Sequence, residues 1–459
     1  MPRPHTPRSA SPRRPGRRQA PRILAALLLV LALAACGGGE SGLAGDAGPE
    51  EVSGEFDWKR YDGETLRVVL NQHPWQEAVE PQLGEFEELT GIQVEVESLP
   101  EEQFRQRVQV EMTGKSEDLD VFMTNVQNEG AKFARNGWYS DLSQFAEDES
   151  LVPPDYDYDD FSDGVLEGHT FDQTLGGIPI QLETQMLFYR KDILEQAGVE
   201  VPTTLEELEQ VAEEIDEPGG TRAFVARGDA AAAVTQFSTY LYNYGGTWTE
   251  EGADSAAFAS KEGVEALGYY ARMIREYGPK GAVNMSWEEA LPLFQQGQVA
   301  MYTDASTFLP QVIDEGASKV ADTAGFAKMP SGPGGETQTF NGWALGISPF
   351  SQKPNASWYF VAWATSPEVV EELTTKGIAG ARESVEFGDD YPQDWVTAFT
   401  ESLPEARAQL PAVGPVPEVR DAIGTAIVEA IQGEPVEPAL QSSAEQFNQI
   451  VETTGAGDG

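Results

Sequence analysis

Four polar side chains, Gln181, Glu183, Thr184 and Gln185, stand at the mouth of an apolar run, Met186 to Tyr189, that has the length of a buried strand. An unpartnered polar group in such a place costs about 1 to 3 kcal/mol, so either the protein satisfies these groups or a ligand does. Other carriers of chemistry are few. Beyond residue 35 only His73 and His169 remain, neither beside a nucleophile elbow nor at a metal spacing, and no glycine-rich phosphate cradle occurs. A pair of carboxylates acting as in a glycoside hydrolase or lyase stays open, because acids are abundant. The stretch Asp155 to Asp163 alternates aspartates as a calcium loop does. Asp160 stands where that loop needs glycine and Leu166 where it needs glutamate, so neither a metal nor a cofactor is expected.

The elements that must position these groups follow from pattern. Gly176, Gly177 and Pro179 break the chain before the apolar run, and Asp192 to Ala197 form a short helix closed by Gly198. Upstream, Thr65 to Asn71 reads as a strand, a helix runs to Gly91, and Ile92 to Glu97 reads as a second strand. Strands alternating with helices predict an α/β fold with mostly parallel sheets, in which ligands sit beyond the carboxyl ends of strands. Asn71, Trp75, Thr124, Asn125 and Gln127 lie at such ends, as ligand contacts or as loop caps. Downstream, Thr204 and Glu207 form a capping box before the stripe Leu205, Leu208, Val211, Ala212 and Ile215, which is core. A second box, Ser286 to Glu289, opens a helix that Pro292 should kink. Phe340 to Ile347 is a strand with Trp343, Leu345 and Ile347 on one face, which leaves Trp343 open to core or cleft. Pro404, Pro411, Pro415 and Pro417 should delay the last helices to Glu418–Gln432 and Pro438–Val451.

Charge bounds the partners. Seven of the 30 basic side chains precede residue 36, leaving 23 against 76 acids. Such a chain has no basic face for nucleic acid, and its acidity reads as a hydrated, soluble surface. The seven arginines and the thirteen apolar residues Ile23 to Ala35 make a signal peptide, too short to span a bilayer. It ends Leu33-Ala34-Ala35-Cys36-Gly37, which resembles the bacterial lipobox and implies acylation of Cys36, the only cysteine. The paired arginines lack the surroundings of a twin-arginine signal, and both export routes stay open. Gly37 to about Glu55 is small, acidic and glycine-rich, a tether between lipid and folded body.

The segment Pro179 to Ile193, with Glu183, Tyr189, Arg190, Lys191 and Asp192, resembles the crossover of bacterial extracellular solute-binding proteins of the sugar-binding class, the receptors of ATP-driven importers. The likeness is greatest to receptors for polyols such as mannitol and sorbitol. It continues through Arg227-Gly228, Phe294 to Gly297 with Ala300-Met301, Trp343, Trp358 to Pro367 and Gly380 to Ser384, covering nearly all of residues 64 to 451. The resemblance implies a two-lobed periplasmic-binding-protein fold, each lobe a mostly parallel sheet flanked by helices. Residues 1–35 are then signal peptide and 36–62 tether; 63–183 plus 326–383 form the first lobe, and 184–325 plus 384–459 the second.

By the same resemblance, Glu183 and Asp304 accept hydrogen bonds from ligand hydroxyls and Arg227 donates to others, unless Arg227 is held in a salt bridge. Trp343 stacks on the carbon skeleton and Arg382 lies in a matching loop; the strand-end residues Trp75, Asn71, Asn125 and Gln127 are expected to complete the site, Trp75 by stacking beside Trp343. The implied partners are a carbohydrate or polyol and the permease subunits of an ABC transporter. The implied place is the outer face of the cell membrane, where the protein works as a lipid-anchored monomer and not as an enzyme.

Overall fold

Strand β1 (Thr65–Asn71) forms because Leu66, Val68, Val69 and Leu70 are all fully buried, and β2 (Gln93–Leu99) lies parallel to it. This is a computed structural model that describes residues 48–455, apart from 172, 252, 389, 390 and 412. The signal peptide, Cys36 and the first part of the tether lie outside the described residues. The helix expected between β1 and β2 is divided at Pro81: Pro74–Val79 and Leu83–Thr90 are α-helical, with a 3₁₀ turn between them. Gly91 closes the second piece in the left-handed region at φ 77°.

β3 (Val121–Thr124) pairs parallel to β1, and a small hairpin of β4 (Thr170–Phe171) and β5 (Thr174–Leu175) stands apart. β6 (Ile178–Arg190) corrects the expectation of a broken segment followed by a short strand: it is one continuous strand of 13 residues. β7 (Arg222–Val225), β8 (Val299–Ala305), β9 (Ala324–Lys328), β10 (Thr339–Ile347) and β11 (Arg407–Ala408) complete the sheet. The order is β2-β1-β3-β10-β6-β8-β7, with β11 beside β10 and β9 beside β6.

The first half of β6, Ile178 to Thr184, pairs with β10, and the second half, Gln185 to Arg190, pairs with β8 and β9. A single strand therefore belongs to both lobes. β6 runs antiparallel to all three partners, and β10 is antiparallel to β3, so the parallel pairs β1–β2, β1–β3 and β7–β8 flank a centre that is antiparallel apart from the short parallel pair β10–β11.

Three hydrophobic clusters follow this division. One, around Leu66, Phe86, Phe122, Leu345 and Trp358, fills the first lobe. Two lie in the second lobe, one around Leu208, Phe237, Tyr270 and Ile427, the other around Phe188, Phe294, Trp395 and Phe399. The stripe from Leu205 to Ile215 is buried and Thr204 and Glu207 make their capping box. The helix Trp287–Gln295 runs on through Pro292. Phe326 of β9 packs in the second lobe, so the return to the first lobe, expected at residue 326, comes between β9 and β10. The penultimate helix, Val416–Gln432, starts before Pro417, whose missing N–H is harmless in a first turn.

Candidate functional site

The polar quartet on β6 resolves residue by residue. Gln181 donates to Thr307 Oγ1, Gln185 accepts from Thr239 Oγ1, and the Thr184 N–H donates to Ser306 Oγ at 3.1 Å. Glu183 alone faces a cavity. It lies opposite Asn341 in the β6–β10 register, and Asn341 Nδ2 donates to Glu183 Oε1 at 2.8 Å. Asn341 is fixed in turn by Asn125, whose Nδ2 donates to Asn341 Oδ1 at 3.0 Å. Asn125 caps the turn after β3, where its Oδ1 accepts from the Asn128 N–H.

From the second lobe, Arg227 lies just past the end of β7. Its Nε and Nη2 reach Asp304 of β8 at 2.9 and 2.6 Å. Asp304 also accepts from Gln236 Nε2 at 2.7 Å, Tyr302 Oη at 2.6 Å and its neighbour's N–H, that of Ala305, at 2.8 Å. A fork held on one side leaves Arg227 Nη1 without a hydrogen-bond acceptor among the described residues.

The cavity between the lobes holds about 480 Å³ of unfilled space counting its mouth, of which about 30 Å³ admits the centre of a water molecule. Its first-lobe wall carries Trp343, with the His73 ring 5.3 Å and the Arg105 guanidinium 5.4 Å from the indole. Its second-lobe wall carries Trp287 stacked on Phe308 at 5.1 Å. Hydrogen bonds tie the walls together: Gln127 Oε1 accepts from the Gln409 N–H at 3.2 Å, Lys132 reaches Glu418 at 2.5 Å, and Gln311 Nε2 donates to Glu77 at 3.0 Å.

Burial sets the protonation of the lining. It pushes the Glu183 carboxyl up to about 7, against the pull of the Asn341 hydrogen bond and of Arg227. It pushes His73 down to about 3, so the ring is neutral. Nδ1 accepts from the Trp75 N–H at 3.2 Å, which places the proton on Nε2. Burial acts upward on Glu101 too, but Arg105, Arg227 and Arg420 outweigh it and hold that carboxyl at about 2. Arg420 is pushed down to about 10 by burial and then by Arg105.

Of the nine residues expected to meet a ligand, Glu183, Arg227, Trp343 and Asn125 line the cavity. The other five stand elsewhere. Asp304 is fully buried behind Arg227, with its oxygens taken by protein donors. Gln127 is spent on Phe340 O and the Gln409 N–H. Trp75 is in the first-lobe core, and Asn71 is buried at the end of β1, away from the lining. Arg382 is a brace: it donates to the carbonyls of Thr365, Tyr156 and Asp157 at 2.7 to 2.8 Å and to Asp160 at 3.2 Å. That bond and Ser384 occupy the Asp160 carboxylate, the centre of the acidic stretch.

Sequence reasoning missed His73, Glu101, Arg105, Gln236, Asn341, Gln409 and Arg420 among the lining residues. Alternation along β10 carried a usable signal for Asn341, which shares the face of Trp343 two residues on. Arg420 had none, because only the packing of its helix against Ala230–Asn243 brings it to the cavity.

Comparison with known proteins agrees with this architecture. The family of bacterial extracellular solute-binding proteins matches residues 71–371. The chain is 28% identical over 374 residues to the erythritol/L-threitol-binding protein of Mycolicibacterium smegmatis, covering 77% of each. It is 29% identical over 334 residues to the mannitol-binding protein of Pseudomonas aeruginosa, covering 70% of this chain and 74% of that one. An ABC transporter solute-binding protein from Agrobacterium vitis S4, solved with bound D-mannitol, matches at a TM-score of 0.77 and 26% identity, over 86% of this chain and 99% of its own.

Proposed function

The chain belongs to the family of bacterial extracellular solute-binding proteins, and from that premise we propose that it captures a sugar or polyol between its lobes and presents it to the permease of an ABC importer. One observation carries this reading. The cavity is lined by buried polar atoms of both kinds that have no hydrogen-bond partner among the described residues: Gln236 Oε1, Gln409 Oε1 and Asn128 Oδ1 as acceptors and Arg420 Nε as a donor. Hydroxyls donate and accept at once, and each buried group they satisfy recovers about 1 to 3 kcal/mol. Glu183, with no protein donor to Oε2, and His73, with Nε2–H, extend the set, while Trp343 supplies an apolar face for carbon.

Turnover by paired carboxylates fits less well. Glu101 and Glu183 are the carboxyls in the lining; Glu183 could serve as the acid, but Glu101 is tied to Arg105 at 2.7 Å and held at about 2, which makes it a weak base for activating water. A thermal-shift screen against polyols, monosaccharides and disaccharides tests the proposal: a ligand at a hundred times its Kd stabilises by about 2.7 kcal/mol. Silence across all three classes, or hydrolysis of an aryl glycoside, would overturn it.

We also propose that acylated Cys36 holds the receptor on the outer face of the membrane. A Cys36→Ser form that still fractionates with membranes would refute this. The two lobes, divided within β6 and again beyond β9, close on the ligand. Scattering at saturation should then give a smaller radius of gyration than without ligand, and an unchanged radius would count against closure.

A further inference from the structure

Three guanidinium groups line the cavity, and they differ in what neutralises them. Arg227 has Asp304 at 2.6 Å. Arg105 has Glu101 at 2.7 Å and also meets Glu129. Arg420 is only 3% exposed and, among the described residues, has no carboxylate within ion-pair distance. Its Nη2 donates to neutral acceptors, the Ala231 carbonyl at 2.7 Å and Thr235 Oγ1 at 3.4 Å. Its Nε is buried without a partner. Glu418, two residues earlier on the same helix, lies on another face and pairs with Lys132.

We propose that the ligand is a polyhydroxy acid of the aldonate class, its carboxylate seated against Arg420 and its hydroxyl chain running along Trp343 toward Glu183. This rests on the sugar-or-polyol reading and narrows it. A desolvated guanidinium with an unmade N–H bond is unfavourable, and a neutral hydroxyl can fill the bond without balancing the charge. A carboxylate does both, and its two oxygens match the planar fork. Around this end Arg105, Arg227 and Arg420 meet Glu101, Glu129 and Asp304, and among the described residues Arg420 is the one of the three guanidiniums with no carboxylate in ion-pair contact, so an anion beside it would complete its pairing. Burial, Arg105 and Arg227 push Arg420 down against the pull of Glu101 and Glu102, and a carboxylate in direct contact would add to that pull. At the other end Glu183 has an open oxygen and no cation in ion-pair contact, a place for hydroxyl donors. The two ends therefore differ in sign, which suits a ligand with a single acidic terminus.

The test uses matched pairs that share a carbon skeleton: erythritol and erythronate, ribitol and ribonate, mannitol and mannonate. Titration calorimetry on the chain from residue 37 onward should give the acid of the best-fitting skeleton at least tenfold tighter binding than its alditol. Arg420→Gln should shrink that preference at least tenfold, and Arg420→Lys should restore part of it. Circular dichroism melting establishes that each variant is folded, and the wild-type preference decides the matter even if one is not. Alditols binding as tightly as their acids would overturn the acid assignment and leave the polyol reading standing. Binding of neither class would remove both. Inorganic phosphate and a sugar phosphate run as controls: tighter binding of either than of every aldonate would assign the Arg420 end to phosphoryl groups and overturn the carboxylate.

Discussion

Asp304 and Glu183 sit on neighbouring strands, β8 and β6, and the two regions around them are built on opposite plans. Asp304 is enclosed by the Arg227 fork, Gln236, Tyr302 and the Ala305 N–H, and none of its surface is exposed. Glu183 has one donor, Asn341, and an oxygen turned to the cavity. Both were expected to hold ligand hydroxyls, and residue type does not separate them. The number of protein donors does. A carboxylate with its lone pairs filled positions other groups, here Arg227 and Gln236; one left unfilled in a buried place is pushed toward neutrality and can answer a ligand.

The comparison breaks most visibly at Asp304. Asp304→Asn leaves Arg227 buried beside a neutral amide, and removing one partner of such a pair costs about 3 to 5 kcal/mol. Denaturant unfolding should read that loss, and a loss below about 1 kcal/mol would show that Asp304 is no brace.

At Glu183 the effect should have the opposite sign and depend on pH. Its carboxyl stands at about 7 in the folded protein against an ordinary 4.5. Folding therefore favours the protonated form, and the stability this brings is fully present below the ordinary value and lost as pH rises through 7. A neutral glutamine suffers no such loss. Without ligand, Glu183→Gln should match the wild type at pH 4 and exceed it at pH 8, by on the order of 1 to 3 kcal/mol. Melting curves at the two pH values check this, and equal stability at pH 8 would contradict it.

The smallest effect belongs at the rim. The Lys132–Glu418 pair joins the lobes where Glu418 is 44% exposed. Lys132→Ala should lower stability by less than about 1 kcal/mol. A loss as large as that at Asp304 would erase the distinction between brace and rim.

The same contrast sets what was legible in the sequence. The apolar run Leu66 to Leu70, the stripe from Leu205 to Ile215 and the glycines at 91 and 198 act through neighbours in the chain, and their strand, helix and stops stand as read. The continuity of β6 was not legible. Its polar middle looks like a break until Ser306, Thr307 and Thr239 arrive from distant segments to take some of its polar groups. Arg382 shows the limit of resemblance: a matching loop placed the residue, but its donors go to Tyr156, Asp157 and Thr365 and none to the cavity. Asn125, just past the end of β3, was legible from topology, while Glu183, Arg227 and Trp343 came from the resemblance; all four line the cavity. Arg105 and Arg420 lie on helices, where nothing local tells a lining arginine from a surface one.

The central claim is that Glu183 takes ligand hydroxyls in the cavity between the lobes. Titration calorimetry of wild type and Glu183→Ala, with the ligand that most raises the melting temperature, tests it most directly. At pH 8, where Glu183 is mostly ionised, a hydrogen bond to a charged group is worth about 1.5 to 3 kcal/mol, so the variant should bind roughly ten- to a hundredfold more weakly while remaining folded. Unchanged affinity in a variant that melts as a folded protein would contradict the account.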